Sequence, residues 1–207
     1  MDFNFLAQAI IGLLVITAPP DPVKLMIFNS VIDQQGIPRR SAAMRVALVV
    51  LFVLGGAALG GAQIAALMGI DLNVFSVVGG IVVAGMGFEM LYGGGPSKTQ
   101  GKDAAEAGPD EASGLVMPLA IPLIAGPGAI VTTVTIATAN DGSGMVAALI
   151  SVGVLAAAVF ISFLWFGSLL AKLSPSTTAL MMRIGGLLLA TIGTQMLLGG
   201  LKKFFDA

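Results

Sequence analysis

Cysteine and histidine are both missing from this chain of 207 residues, and only 10% of its residues are charged. Without cysteine there are no disulfides and no thiolate chemistry. Without histidine there is no imidazole acid or base, and the two absences together remove the usual transition-metal ligands. Catalysis is therefore a poor first reading: the chain is expected not to be an enzyme, with no catalytic residues, no bound metal and no cofactor. Its formal charge of −1 provides no concentrated basic face for phosphates, so nucleic acid is not an expected partner. No nucleotide-binding loop is present to couple ATP.

What is present is hydrocarbon. Apolar residues make up 57% of the chain and the mean hydropathy is +0.99, against about 45–50% apolar and 25% charged in soluble domains. The lipid bilayer is the expected surrounding. Phe3 to Thr17 has the length of a signal-peptide core, but no Lys or Arg precedes it and prolines follow it, so it reads as a first membrane segment.

A spanning helix needs about 20 apolar residues, and on that rule six stretches separate. They run from about Phe5 to Val31, Met44 to Met68, Leu72 to Tyr92, Leu115 to Ala139, Met145 to Leu173 and Thr178 to Leu201. The first is too long for one straight crossing and is interrupted at Pro19-Pro20-Asp21-Pro22, so two half-helices are expected. The fourth carries Gly126-Pro127-Gly128. Gly93 to Ser113, rich in Gly, Pro, Lys, Asp and Glu, has no apolar face and reads as a flexible linker.

Orientation follows from Lys and Arg counted loop by loop. Arg39, Arg40, Arg45, Lys98, Lys102, Lys172 and Arg183 fall on one side, which should be cytoplasmic; Lys202 and Lys203 pull the other way. Both termini would then be periplasmic, with Asp71 and Asp141 in short external turns.

The third and sixth segments match over sixteen positions, Gly79 to Gly94 against Gly185 to Gly200, with both flanking Gly pairs plus Ala, Gly, Met and Leu in register. Nearly the same shift sets Asp21-Pro22 opposite Gly126-Pro127. The fold class expected is an all-α membrane protein of six transmembrane segments. These form two inverted three-helix repeats, residues 1–94 and 114–207, joined by the linker at 95–113, with the first helix of each repeat broken. Interrupted helices in inverted repeats are an architecture of secondary transporters, which bind solute near the midplane. The glycines themselves, including Gly55-Gly56, Gly60-Gly61 and the pairs Gly80/Ala84 and Gly186/Ala190, read more simply as close-packing positions.

The two breaks differ in chemistry. Asp21 fits a helix cap and Pro22 the first helical position, leaving a negative group suited to an ammonium, a proton or a cation. Gly126 caps the second restart without a side-chain acceptor, so the N–H groups of Gly128, Ala129 and Ile130 would favour a carboxylate. A small zwitterion would match both. Candidate substrate residues are Pro20, Asp21, Pro22, Ala125, Gly126, Pro127, Gly128, Ala129 and Ile130. Candidates for a coupling ion, H⁺ or Na⁺, are Asp21, Asn29, Thr132, Thr133 and Glu89. Simpler readings stand beside these: Asp21 as a plain cap balanced by Lys24, the threonines bonded back to their own helix, and Glu89 as an interfacial group opposite its repeat partner Gln195. Arg45 and Arg183 are expected to reach headgroups, and Trp165 to pack or anchor at the interface.

The run Pro118-Leu119-Ala120-Ile121-Pro122-Leu123-Ile124-Ala125-Gly126-Pro127-Gly128-Ala129-Ile130 resembles the MarC family of six-span bacterial inner-membrane proteins. The Gly-Gly-x₉-Met-Leu stretch ending at Leu91 and Arg183-Ile184-Gly185-Gly186-Leu187 with Gln195-Met196 fit the same family. The resemblance covers essentially the whole chain. It implies a relation to transporters of small neutral amino acids in the bacterial inner membrane. Asp21-Pro22 matches the family's first-half motif, while Val23, Lys24 and the preceding Pro19-Pro20 depart from it. Export of another solute, such as a drug, a peptide or a lipid-linked phosphate, and a purely structural role are the alternatives. Direction of transport and oligomeric state leave no mark in the sequence.

Overall fold

Proline and glycine decide where the helices start and stop. The computed structural model describes residues 3–17, 22–92, 124–139, 143–166 and 175–206, and among these the regular structure is all helical. The elements are α1 (Phe3–Thr17), α2 (Pro22–Gln35), α3 (Arg39–Leu67), α4 (Leu72–Leu91), α5 (Pro127–Thr138), α6 (Ser143–Ile161) and α7 (Pro175–Phe205). A π-helical turn, Ser162–Phe166, continues α6. Pro22, Pro127 and Pro175 each open a helix at the position where a missing N–H costs nothing. Asp71 caps α4 by accepting from Asn73 N at 2.6 Å.

Four helices are long and apolar enough to cross a bilayer: Arg39–Leu67, Leu72–Leu91, Ser143–Trp165 and Ser176–Phe205. Among the described residues, the expected first and fourth segments hold shorter apolar helices. With 15 residues in α1 and 12 in α5, these rise only about 22 and 18 Å at 1.5 Å per residue, short of the ~30 Å hydrocarbon core. Pro20, Asp21, the linker at 95–113, the start of the fourth segment, Asp141, Lys98, Lys102 and Lys172 lie outside the described residues. α3 begins five residues before the apolar stretch, with Ala42 N bonded to Pro38 O at 3.1 Å. Hydropathy marks only the apolar part of a helix, whereas the backbone bonds of α3 run on through the polar residues before it.

Many large apolar side chains face outward, as with Phe52 at 74% exposure, while the inside of α3 and α4 is built from Ala, Gly and Val with the single larger residue Leu54. Lipid is as apolar as leucine, so small residues that admit close backbone contact hold the bundle. The tightest such contact is between α4 and α7, which run antiparallel. A Cβ built on Gly80 would stand 2.6 Å from Gly193 O, and one on Gly186 would stand 2.6 Å from Gly87 O. Likewise a Cβ on Gly193 would strike Ala84 N, and one on Gly87 would strike Ala190 N.

The main core lies beside this pair. Leu13 of α1, Leu25 and Phe28 of α2, Val46, Val50 and Leu54 of α3, and Val152, Leu155 and Val159 of α6 form one buried cluster with Ile124, Ala125 and Ala129. Both helix interruptions are therefore anchored in the same core.

Candidate functional site

α1 ends and α5 begins side by side. Gly126 caps α5 with extended backbone (φ −66°, ψ 174°) and no side-chain bond, and Pro127 takes the first turn. Ile130 N, donating to Gly126 O at 3.0 Å, makes the first intrahelical bond. The N–H groups before it have no acceptor within the helix, by the geometry of any helix start. Gly128 is buried, and a Cβ there would lie 2.8 Å from Val83 Cγ2 of α4 and 3.7 Å from Ile16 Cγ2, one residue before the end of α1. Ala125, Gly128 and Ala129 are thus held at the junction of the breaks, with Ile130 packed partly buried against the core.

The end of α1 is closed by polar groups. Thr17 Oγ1 donates to Leu13 O at 2.8 Å and approaches Leu14 O at 3.3 Å. Lys24 Nζ reaches back across the interruption and donates to Thr17 O at 2.5 Å. Lys24 is buried, with 9% of its surface exposed. The expected Lys24–Asp21 balance involves a residue outside the described set, but Lys24 has a partner that spacing did not suggest.

The remaining candidates fall in different places. Thr133 Oγ1 donates to Ala129 O at 2.7 Å, the bond back to its own helix. Thr132 Oγ1 points to α7 and donates to Met196 Sδ at 3.5 Å. Asn29 Oδ1 accepts from Arg39 Nη2 at 2.9 Å. Glu89 is exposed on α4, and Trp165 is 74% exposed in the π-helical turn.

Two features flank the junction along the bundle axis. Toward the end that carries Asp71 and Lys203, a cavity of about 350 Å³ is lined by Asn73 and Ser76 of α4, Thr135 and Thr138 of α5, and Met196 and Lys203 of α7. Ser76 and Thr135 share a 3.1 Å hydroxyl–hydroxyl bond. Met196 lines this cavity and also accepts from Thr132, which lies one turn nearer the break than Thr135.

At the opposite end Arg39 ties three elements together. It donates to Asn29 Oδ1 of α2 and, through Nη1, to Phe163 O at 3.2 Å in the π-helical turn, and it lies 5.9 Å from the Phe28 ring centroid. Phe28 and Phe163 pack at 4.5 Å between centroids. A π turn displaces carbonyls from the regular ladder, and the guanidinium meets one of them. The pattern that could have revealed the cavity is Thr132-Thr133-x-Thr135-x-x-Thr138 on α5. Nothing local to α4 or α7 indicates that Ser76 and Lys203 complete it.

A family model described as MarC family integral membrane protein matches residues 3–205. A UPF0056 membrane protein of Pyrococcus abyssi is 32% identical over 94% of this chain and 93% of its own length. UPF0056 membrane protein YvbG of Bacillus subtilis is 28% identical over 99% of this chain and 98% of its own. UPF0056 membrane protein YhcE of Escherichia coli is 28% identical over 99% and 95%. No solved structure matches the chain.

Proposed function

The chain belongs to the MarC family, multi-pass integral membrane proteins, and on that premise we propose that it is a secondary transporter of small neutral amino acids, driven by H⁺ or Na⁺. The observation that carries this reading is the asymmetry of the two ends. A polar cavity lies at one end against the C-terminal half of α5, the helix whose N-terminus has no side-chain cap, whereas at the other end Arg39 binds Asn29 and Phe163 beside the Phe28–Phe163 pair, which we read as the sealed end.

In this reading the solute enters past Ser76 and Thr135 and sets its carboxylate at the N–H groups of Gly128 and Ala129, where the helix dipole favours negative charge. For its ammonium end the sequence nominates Asp21, which lies outside the described residues. Transport then exchanges which end is sealed, by rocking of two inverted repeats.

The repeat proposal draws support from the α4–α7 contact. Exchanging the two halves maps Gly80 against Gly193 onto Gly186 against Gly87, and Ala84 against Gly193 onto Ala190 against Gly87. Reciprocal contacts of this kind are the signature of a two-fold axis. The sealed end carries Arg39 and Arg40, which favours the cytoplasm for it; the cavity and both termini would then face the periplasm, in the inner membrane of a bacterium. No enzymatic activity is proposed.

The test is thermal unfolding of purified protein with glycine, alanine or serine, each with and without Na⁺. A ligand that binds only the folded state raises Tm. Stabilisation by these amino acids is expected; a flat response to all of them beside a clear shift with a bulky amphiphile would replace this reading with export of another solute.

A further inference from the structure

Among the described residues, Lys24 is the one charged side chain in the buried interior. An ammonium at membrane depth is costly and persists where a compensating group meets it. Here that group includes Thr17 O, on the last residue of α1. The final carbonyls of a helix lack intrahelical donors and carry the negative end of its dipole. Thr17 Oγ1 engages Leu13 O and Leu14 O, and the Lys24 ammonium engages the terminal carbonyl. In carriers with interrupted helices, freed carbonyls at the C-terminal end of a half-helix are the groups that coordinate a coupling Na⁺. Lys24 brings to that place a cation that cannot leave, tethered seven residues along the chain on the far side of the interruption.

We propose that the Lys24 ammonium occupies the position of a monovalent coupling cation at the C-terminal end of α1, so that this chain binds no Na⁺ there and works without a Na⁺ gradient. Thr17 itself is 2% exposed, and Leu13 and Leu25, on the helices either side of the interruption, belong to the buried core. The ammonium therefore does structural and electrostatic work that a dissociable ion would do only while bound. The inference rests on the carrier reading for its meaning in transport, but its test involves no solute.

Full-length wild type and Lys24→Ala are unfolded thermally in NaCl, KCl and choline chloride at equal ionic strength, with no amino acid added. Wild type is expected to give one Tm in all three salts. Lys24→Ala is expected to unfold about 5 °C lower in choline chloride and to recover most of that loss in NaCl, because a small cation can now enter the vacated position. A Na⁺-specific rise in the wild-type Tm would overturn the proposal, as would a Lys24→Ala protein indifferent to the cation. Equilibrium binding of ²²Na⁺ to wild type needs no variant: none is expected, and saturable binding would overturn the proposal even if Lys24→Ala does not fold. If the cation results come out as expected while no amino acid stabilises the protein, the carrier reading fails and the tethered cation stands.

Discussion

Replacing Gly87 with alanine tests the α4–α7 contact directly. The added Cβ would strike Ala190 N and lie 2.7 Å from both Ala190 Cα and Gly186 O. All three are backbone atoms, so no rotamer change relieves the clash and the two helices must part by something under 1 Å. Overpacking of this kind costs about 1–3 kcal/mol, partly offset by the ~0.5–1 kcal/mol that Gly→Ala gains in a helix interior. At about 2–4 °C per kcal/mol for a chain of this size, Gly87→Ala should lower Tm by several degrees. Gly193→Ala, whose Cβ would strike Ala84 N from the other side, should cost the same.

The double variant should cost less than the sum, since one separation of the helices relieves both clashes and contacting sites are not additive. Gly85→Ala is the control, because a Cβ there meets nothing within 4 Å; it should be neutral or slightly stabilising. Thermal unfolding in detergent followed by circular dichroism reads all four variants. Equal Tm values for Gly87→Ala and Gly85→Ala would refute the close-contact reasoning, and additive losses in the double variant would refute the shared interface.

Gly126→Asp should abolish amino-acid stabilisation by setting a negative cap where the carboxylate is proposed to sit, and unchanged affinity in isothermal titration would rule out that pose. Thr135→Val and Ser76→Ala break the 3.1 Å hydroxyl pair lining the cavity and should weaken solute binding several-fold. Thr133→Val, which removes only a bond back to its own helix, should leave affinity unchanged and cost stability on the order of 1 kcal/mol. Arg39→Gln removes the guanidinium bridging Asn29 and Phe163 and should loosen the sealed end. Because the chain has no native cysteine, a single cysteine placed at Ile32 reports this through labelling by a membrane-impermeant maleimide. Labelling no faster with Arg39→Gln than without it would mean that Arg39 does not seal that end.

Pro22 and Pro127 were legible as helix starts because each acts through its own missing N–H, whereas Asp71, read only as part of a short turn, proved to cap α4. The pairing of Gly79 to Gly94 with Gly185 to Gly200 was legible as repetition, but not as contact. Repetition says the two stretches do the same thing; only packing decides that they do it against each other.

The sequence by itself determined the bilayer setting, the approximate bounds of four long apolar helices and the positions of two helix starts after proline-marked breaks. These depend on composition and on local backbone geometry. The tertiary structure alone decided that Asn29 serves Arg39, that Lys24 reaches Thr17 O, and that Ser76, Thr135 and Lys203 share one cavity. In a bundle with few polar groups, each finds its partner through the rotation and offset of neighbouring helices. Apolar patterning leaves both nearly free, since lipid accepts any greasy face.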